Sequence, residues 1–446
     1  MVNSNNSTGQ PDVKYTEQDV LDYHSNNFPG NGKIEIISKT PVTNQRDLTL
    51  AYSPGVADAC QAIQANPMDL YKYTNIGNTV AVITNGTRVL GLGDIGMAGY
   101  PVMEGKSILF KALGSVDAFP LVINRHNKEE FIEVVKTIAP NFGGINLEDI
   151  QKPDCFYIER TLDAALDIPV FHDDQWGTAV VTLAGVINSL KLVGKKFSDI
   201  KVAVNGSGAS GIAISHMLLD AGVKGSNLNS VDRNGAIFTG RDNMDEYKDE
   251  LSQRINPNKE SLSLAEATEG CDLLIGASGP GLFTQDMVRS MTDDAIVFAI
   301  ANPVPEIMPH LAIEAGAKIV GTGRSDFANQ INNVLGFPGI FRGTLDVKAT
   351  TITKNMKIAA ANAIASRVSE EELSPNHIIT SPTDPLLMPL EASAVAEAAM
   401  QDGVARFSMS KSEVFDLTLK RIEYYNATIA KLVPSRKNPS SVTSSS

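Results

Sequence analysis

Lys201-Val202-Ala203-Val204-Asn205-Gly206-Ser207-Gly208-Ala209-Ser210-Gly211 is the stretch that decides the fold. A short, mainly apolar run enters three glycines spaced G-x-G-x-x-G, and residues 212–219 continue as an apolar helix. Strand, glycine turn and helix in that order make the corner where a βαβ unit receives a pyrophosphate. The glycines permit the tight turn and close approach, and the helix N-terminus attracts the negative charge. Asp232 stands 21 residues past Gly211, at the end of the next apolar run, where an acid can hold a ribose hydroxyl. The bland alternative is a glycine-rich strand–helix turn without a ligand; strand, helix and acid in register favour a dinucleotide. The candidate contacts are Gly206, Ser207, Gly208, Ala209, Gly211 and Asp232, with Arg233 beside them. Ala277, Ser278 and Gly279, in a second glycine loop at 276–281, end a later strand and border the same crevice. An acid at the ribose favours NAD, whereas an adjacent Arg233 suits the 2′-phosphate of NADP. The preference stays open, leaning to NAD.

The same alternation extends outward. Apolar runs at 228–231, 272–277, 296–300 and 318–320 follow the glycine turn, and runs at 119–124, 142–146 and 168–171 precede it. Helical patterns at 106–113, 129–138 and 162–166 lie between the earlier runs, and 178–192 reads as a helix joining the two series. Such alternation means parallel sheets with helices on both faces. Residues 79–84 and 88–92 flank Asn85-Gly86, which signals a β-hairpin. Residues 349–433 are helical by composition. The fold class is therefore α/β: an N-terminal α/β substrate domain, then a Rossmann-type doubly wound NAD(P)-binding domain, with C-terminal helices. The expected bounds are 15–173 for a substrate- and metal-binding domain and 174–333 for the dinucleotide domain. A helical segment at 334–434 packs back on the first, with flexible tails at 1–10 and 435–446.

Composition sets outer limits. The chain has 446 residues, 43% hydrophobic and 20% charged, enough for two or three domains with full cores. Its formal charge of −13 argues against nucleic acid and an anionic membrane surface, both of which demand clustered cations. Cys60, Cys155 and Cys271 are too few and scattered for a disulfide scaffold or thiolate zinc site. No basic, apolar leader opens the chain, and no run approaches the ~20 continuous apolar residues of a membrane span. A cytoplasmic location is expected. A second G-x-G-x-x-G match at 91–96 fails on context, because Asp94 would repel a phosphate and no helix follows at once.

Two acidic pairs end apolar runs: Glu148-Asp149 after 142–146, and Asp173-Asp174 after 168–171. Carboxyl ends of strands border the ligand crevice, so both pairs come to one rim. A hard divalent cation, Mn²⁺ or Mg²⁺, would relieve their repulsion. Helix N-capping explains the second pair as well. Spacing leaves both readings open.

Six motifs in order carry a resemblance. They are Ala51-Tyr52-Ser53-Pro54-Gly55-Val56-Ala57, the run from Arg88 to Gly96, Glu104-Gly105-Lys106-Ser107, Glu148-Asp149, Asp173-Asp174-Gln175-Trp176-Gly177-Thr178 and Asn332-Asn333. Together they resemble the malic enzymes in their short bacterial form, from about Tyr52 to at least Asp346. The resemblance implies oxidation of L-malate with NAD⁺ or NADP⁺, decarboxylation to pyruvate and CO₂, and a need for Mn²⁺ or Mg²⁺. It implies Lys106 as general base and Tyr52 as the acid that protonates the enol carbon. It further implies Glu148, Asp149 and Asp174 as metal ligands with Asp173 alongside, and Arg88, Asn302 and Asn333 as substrate contacts, Asn302 also lying near the nicotinamide. A homodimer is implied too. A lysine acts as base only if its pKa falls well below ~10.4, through burial or a nearby cation. Trp176, the only tryptophan, departs from many relatives and receives no role. The alternatives are a metal-independent, amino-acid-dehydrogenase-like Rossmann oxidoreductase and a non-enzymatic dinucleotide sensor.

Overall fold

Two sheets of short, mainly parallel strands organise the chain in the computed structural model, which describes residues 15–25, 31–89 and 91–432. The expected tails lie outside these residues. The first sheet comprises β1 (Thr79–Thr84), β2 (Asp117–Val122), β3 (Gly144–Leu147) and β4 (Val170–His172), in the order β2-β1-β3-β4. The second comprises β5 (Val202–Asn205), β6 (Leu228–Asp232), β7 (Gly235–Ala236), β8 (Leu273–Gly276), β9 (Ile296–Ala299) and β10 (Ile319–Thr322), in the order β10-β9-β8-β5-β6-β7. All pairings are parallel except β6 with the two-residue β7. Strand order reverses between β5 and β8, which opens a crevice at their carboxyl ends.

Most strands are sealed along their length, whereas the edge strand β2 is half-buried at all six positions. The six residues of β1, Thr-Val-Ala-Val-Ile-Thr, are all buried, as a central parallel strand covered on both faces requires. Covering helices begin and end on local chemistry. Asn127 accepts a hydrogen bond from the Glu130 amide at 2.9 Å to cap Lys128–Ile138, and Pro101 opens Tyr100–Gly114. Gly194, in the left-handed conformation, closes the long helix Asp173–Val193. Among the described residues that helix alone is long and apolar enough to cross a bilayer, yet two thirds of its apolar window is buried inside the protein. It joins the sheets, starting at the end of β4 and packing on the dinucleotide-side helix Ala209–Asp220.

The hairpin expected around Asn85-Gly86 does not form. β1 pairs in parallel with β2 and β3, and of 88–92 only Val89 makes a bridge, an isolated antiparallel one to Gly93; Leu90 falls outside the described residues. Gly86 instead adopts φ +69°, and its carbonyl accepts from the amides of Ile95 and Gly96. The positive-φ turn brings the Arg88 amide to the Asp149 carbonyl at 3.0 Å, at the rim of the sheet. Helices Phe337–Asp346, Lys354–Ala365, Leu387–Gln401 and Lys411–Leu432 return to the first sheet's side: Arg342 donates to Asn78 at 2.5 Å, and Lys348 to the Gly77 carbonyl at 2.9 Å.

The amino-terminal helices Glu17–Ser25, Gln45–Ala51 and Val56–Ala65 bury no residue. Val20, Leu21, Tyr23, Leu50, Tyr52 and Val56 are exposed there, forming apolar surface that a folded chain ordinarily covers.

Candidate active site

The carboxyl ends of β3 and β4 deliver Glu148-Asp149 and Asp173-Asp174 to one rim, as the strand-end reasoning required. Lys106, on Tyr100–Gly114, enters among them. Its Nζ lies 2.5 Å from Asp173 Oδ2, 3.1 Å from Glu148 Oε1 and 4.2 Å from the Phe337 ring centroid. Asn333 Nδ2 donates to the same Asp173 oxygen. A Cβ at position 177 would overlap the Asp173 carboxylate, so Gly177 is what lets this side chain lie along its own helix.

Burial pushes the Lys106 ammonium down, while the adjacent Asp173 and Glu148, with Asp174 farther off, push it up, and the carboxylates prevail. Glu148 is pushed well up, by burial first and, against the pull of Lys106, by repulsion from Asp173, Asp174 and Asp149.

Four acids and one lysine leave the rim with surplus negative charge. Asp173 Oδ1 is buried without a hydrogen-bond partner. Hard oxygen donors in such excess suit Mn²⁺ or Mg²⁺. As they stand, the expected ligands Glu148, Asp149 and Asp174 do not converge. Asp174 Oδ2 accepts from the Asp149 amide at 2.9 Å, Glu148 faces Lys106 and Asn146, and among the described residues no three His, Cys, Asp or Glu side chains are grouped to hold a metal ion.

The glycine turn joins this rim. Gly206, at φ +121°, approaches so closely that a Cβ would stand 2.5 Å from the Ala277 carbonyl, which brings the 206–211 and 276–281 loops together at the switch point. Gly211 sits against the Gly206 carbonyl, where any side chain would collide. Ser207 is buried, while Gly208 and Ala209 open the helix N-terminus. Asn205 donates to Ser278 Oγ at 2.9 Å, next to Gly279. Ser210 Oγ donates to the Asp174 carbonyl at 2.8 Å, linking the dinucleotide helix directly to the carboxylates.

Other expected residues are placed less centrally. Arg88, exposed, lies over the glycine turn, its Nη1 3.9 Å from where a Gly208 Cβ would be. Asn302 is exposed and precedes a cis proline, packed against Gly323. Tyr52 is 73% exposed on the amino-terminal apolar surface. Arg233 is exposed beside Asp232, whose carboxylate is bound by Arg241 and Lys248.

Several supporting residues had no signal in the sequence. Glu159 accepts from the His172 amide at 3.0 Å and from Trp176 Nε1 at 3.1 Å, and so grips both sides of Asp173-Asp174. Burial raises its carboxyl to about 7. Lys357, brought down to about 8 by burial, lies 3.5 Å over the Trp176 ring. These residues line a cavity of about 150 Å³ behind the rim. Glu306 accepts from the amides of Ser278 and Ala301 at 3.0 Å each, which ties the two loops carrying Ser278 and Asn302.

A doubly wound dinucleotide domain opening onto a lysine–carboxylate rim defines a nicotinamide-dependent oxidoreductase. Residues 31–163 match the malic enzyme N-terminal domain and residues 176–383 the malic enzyme NAD binding domain. The chain belongs to the malic enzyme family. The bifunctional malic/malolactic enzyme of Bacillus subtilis is 53% identical over 391 residues, covering 87% of this chain and 95% of that protein. The NADP-dependent malic enzyme of Escherichia coli is 45% identical over 445 residues, 96% of this chain but 58% of that protein. The crystal structure of the malic enzyme from Pyrococcus horikoshii, 51% identical, superposes with a TM-score of 0.90 over 93% of this chain and 98% of that one.

Proposed function

We propose that this protein oxidises L-malate with a nicotinamide dinucleotide and decarboxylates the product to pyruvate and CO₂. The observation that carries the reading is the Ser210–Asp174 hydrogen bond at 2.8 Å, because it puts the dinucleotide turn and the Lys106–carboxylate rim in one crevice. Family membership supplies the substrate.

Lys106, as the neutral amine that a divalent cation offsetting the charge of Glu148 and Asp173 would favour, is the residue to take the C2 hydroxyl proton onto Nζ, and hydride then leaves C2 for the nicotinamide ring. Asp173 and Glu148 favour the protonated product of that step, which makes the free amine a strong base once it is formed. Arg88, Asn302 and Asn333 are the substrate contacts, Arg88 through paired hydrogen bonds to a carboxylate. Glu148, Asp149 and Asp174 are the residues that would hold Mn²⁺ or Mg²⁺. When bound, that ion supplies a Lewis acid to the substrate oxygens. Tyr52, through its phenol hydroxyl, returns a proton to C3 of the enol. Its exposure supports a homodimer in which a second copy covers the amino-terminal apolar surface. Sedimentation showing only monomer at micromolar concentration would remove that part.

The deciding experiment measures NAD(P)H and CO₂ together from L-malate, with and without Mn²⁺. One-to-one release that needs the metal is expected. Reduction surviving complete chelation would favour the metal-independent dehydrogenase, and tight NAD(P)H binding without turnover a sensor.

A further inference from the structure

Trp176 lines the cavity of about 150 Å³ behind the carboxylate rim. The wall is drawn from the helices Asp154–Ala165, Asp173–Val193 and Ala209–Asp220, with Lys357 from Lys354–Ala365. Phe156, Phe171, Ile212 and Ile352 give it an apolar floor. An apolar cavity of that volume takes a benzene ring, so there is room for about six non-hydrogen atoms.

Two buried donors in the wall lack acceptors. Gln175, 2% exposed, has no hydrogen-bond partner for its Nε2 among the described residues. His216, 9% exposed, has Nδ1 2.8 Å from Arg254 Nη1. Arginine only donates, so Nδ1 accepts and the neutral ring carries its proton on Nε2. That Nε2 has no partner either. The acids of the wall are engaged already: Glu159 accepts from the His172 amide and Trp176 Nε1, and Asp163 from Thr351 Oγ1 at 2.8 Å. Their charge is offset by Lys357, 3.5 Å over the Trp176 ring, and by Arg160, exposed at the edge and donating to Glu250 at 2.7 Å. The unmet capacity is therefore on the donor side, and an acceptor in the cavity relieves its cost. Donors above an apolar floor suit an amphipathic occupant, a carboxylate with a short alkyl chain.

We propose that this cavity binds a short-chain monocarboxylate of up to about six non-hydrogen atoms, its carboxylate taken by Gln175, His216 and Lys357. Gln175 and Trp176 follow Asp174 on one helix, and Ile212 belongs to the helix of the glycine turn. The occupant thus touches both halves of the crevice from behind. The site is separate from the substrate and dinucleotide positions and does not depend on the proposed reaction.

Trp176 is the single tryptophan, so its fluorescence reads the cavity directly. The test titrates butyrate into the native protein at constant ionic strength, against butyramide, of the same size without the charge, and octanoate, which is too long. Butyrate is expected to saturate the change at about millimolar concentration, with butyramide at least about tenfold weaker and octanoate without effect. Lys357→Met should weaken butyrate by about tenfold or more, and Lys357→Arg should keep part of the affinity. No saturation below about 100 mM, equal affinity for butyramide, or an affinity untouched in Lys357→Met would each overturn the proposal. So would loss of the response in saturating L-malate and Mn²⁺, which would move the carboxylate to the rim.

Discussion

The ammonium of Lys106 stands 2.5 Å from a carboxylate oxygen of Asp173, and both side chains are withdrawn from solvent. Breaking a buried pair costs about 3–5 kcal/mol when it strands a charge, and Glu148, 3.1 Å from the same ammonium, keeps the cost here near the lower end of that range. Asp173→Ala should therefore lower the unfolding free energy by about that much, in urea titrations at pH 7. A loss below about 1 kcal/mol would mean that solvent or a bound ion already screens the pair.

Lys106→Ala tests the other partner by its chemistry. Loss of a positioned base should reduce malate oxidation by about 10²–10⁴-fold. Dinucleotide binding, followed by NAD(P)H fluorescence, should persist because the glycine turn is built from separate residues. Turnover within a few-fold of the native rate would take Lys106 out of the base role.

How much of this could be read in the sequence follows from how local each signal is. The Rossmann corner was legible because strand, glycine turn and helix are contiguous, and the structure sets β5, Gly206 and the Ala209–Asp220 helix in that order. The acidic pairs were legible for the same reason: strand ends are found from apolar runs. Asn85-Gly86 misled because positive φ serves a loop crossing the strand end as readily as a hairpin, and the parallel neighbours of β1 come from 117–122 and 144–147. The amino-terminal helices bury no residue, so no buried apolar face marks them as helices in the sequence. The charge state of Lys106 depends on Asp173, 67 positions away, and that pairing exists only after the sheet forms. Glu159, Lys357 and Lys248 were missed for the same reason, as their partners are set by tertiary contact.

Asp174→Asn tests the metal reading without relying on turnover. Removing a hard anionic donor should raise the apparent Mn²⁺ dissociation constant by about tenfold or more, by titration of the purified protein. An unchanged titration would refute the ligand assignment. The Ser210 bond to the Asp174 carbonyl involves the backbone, so the fold at the dinucleotide turn should survive.

His216 makes a prediction about acid stability. It sits on the Ala209–Asp220 helix, against the cavity behind the rim, with Nδ1 2.8 Å from Arg254 Nη1. Burial, then repulsion from Arg254, brings its pKa from 6.5 down to about 4. A histidine depressed in the folded state stabilises while neutral, so its contribution is complete above about pH 6.5 and is lost as pH falls toward about 4. His216→Gln keeps an acceptor for Arg254 but cannot take the proton. Between pH 7 and pH 4.5 the native protein should lose about 2–3 kcal/mol more than the variant, by urea unfolding at each pH. Parallel losses in the two proteins would mean that the imidazole is protonated without opening the fold, and that Arg254 moves aside to allow it.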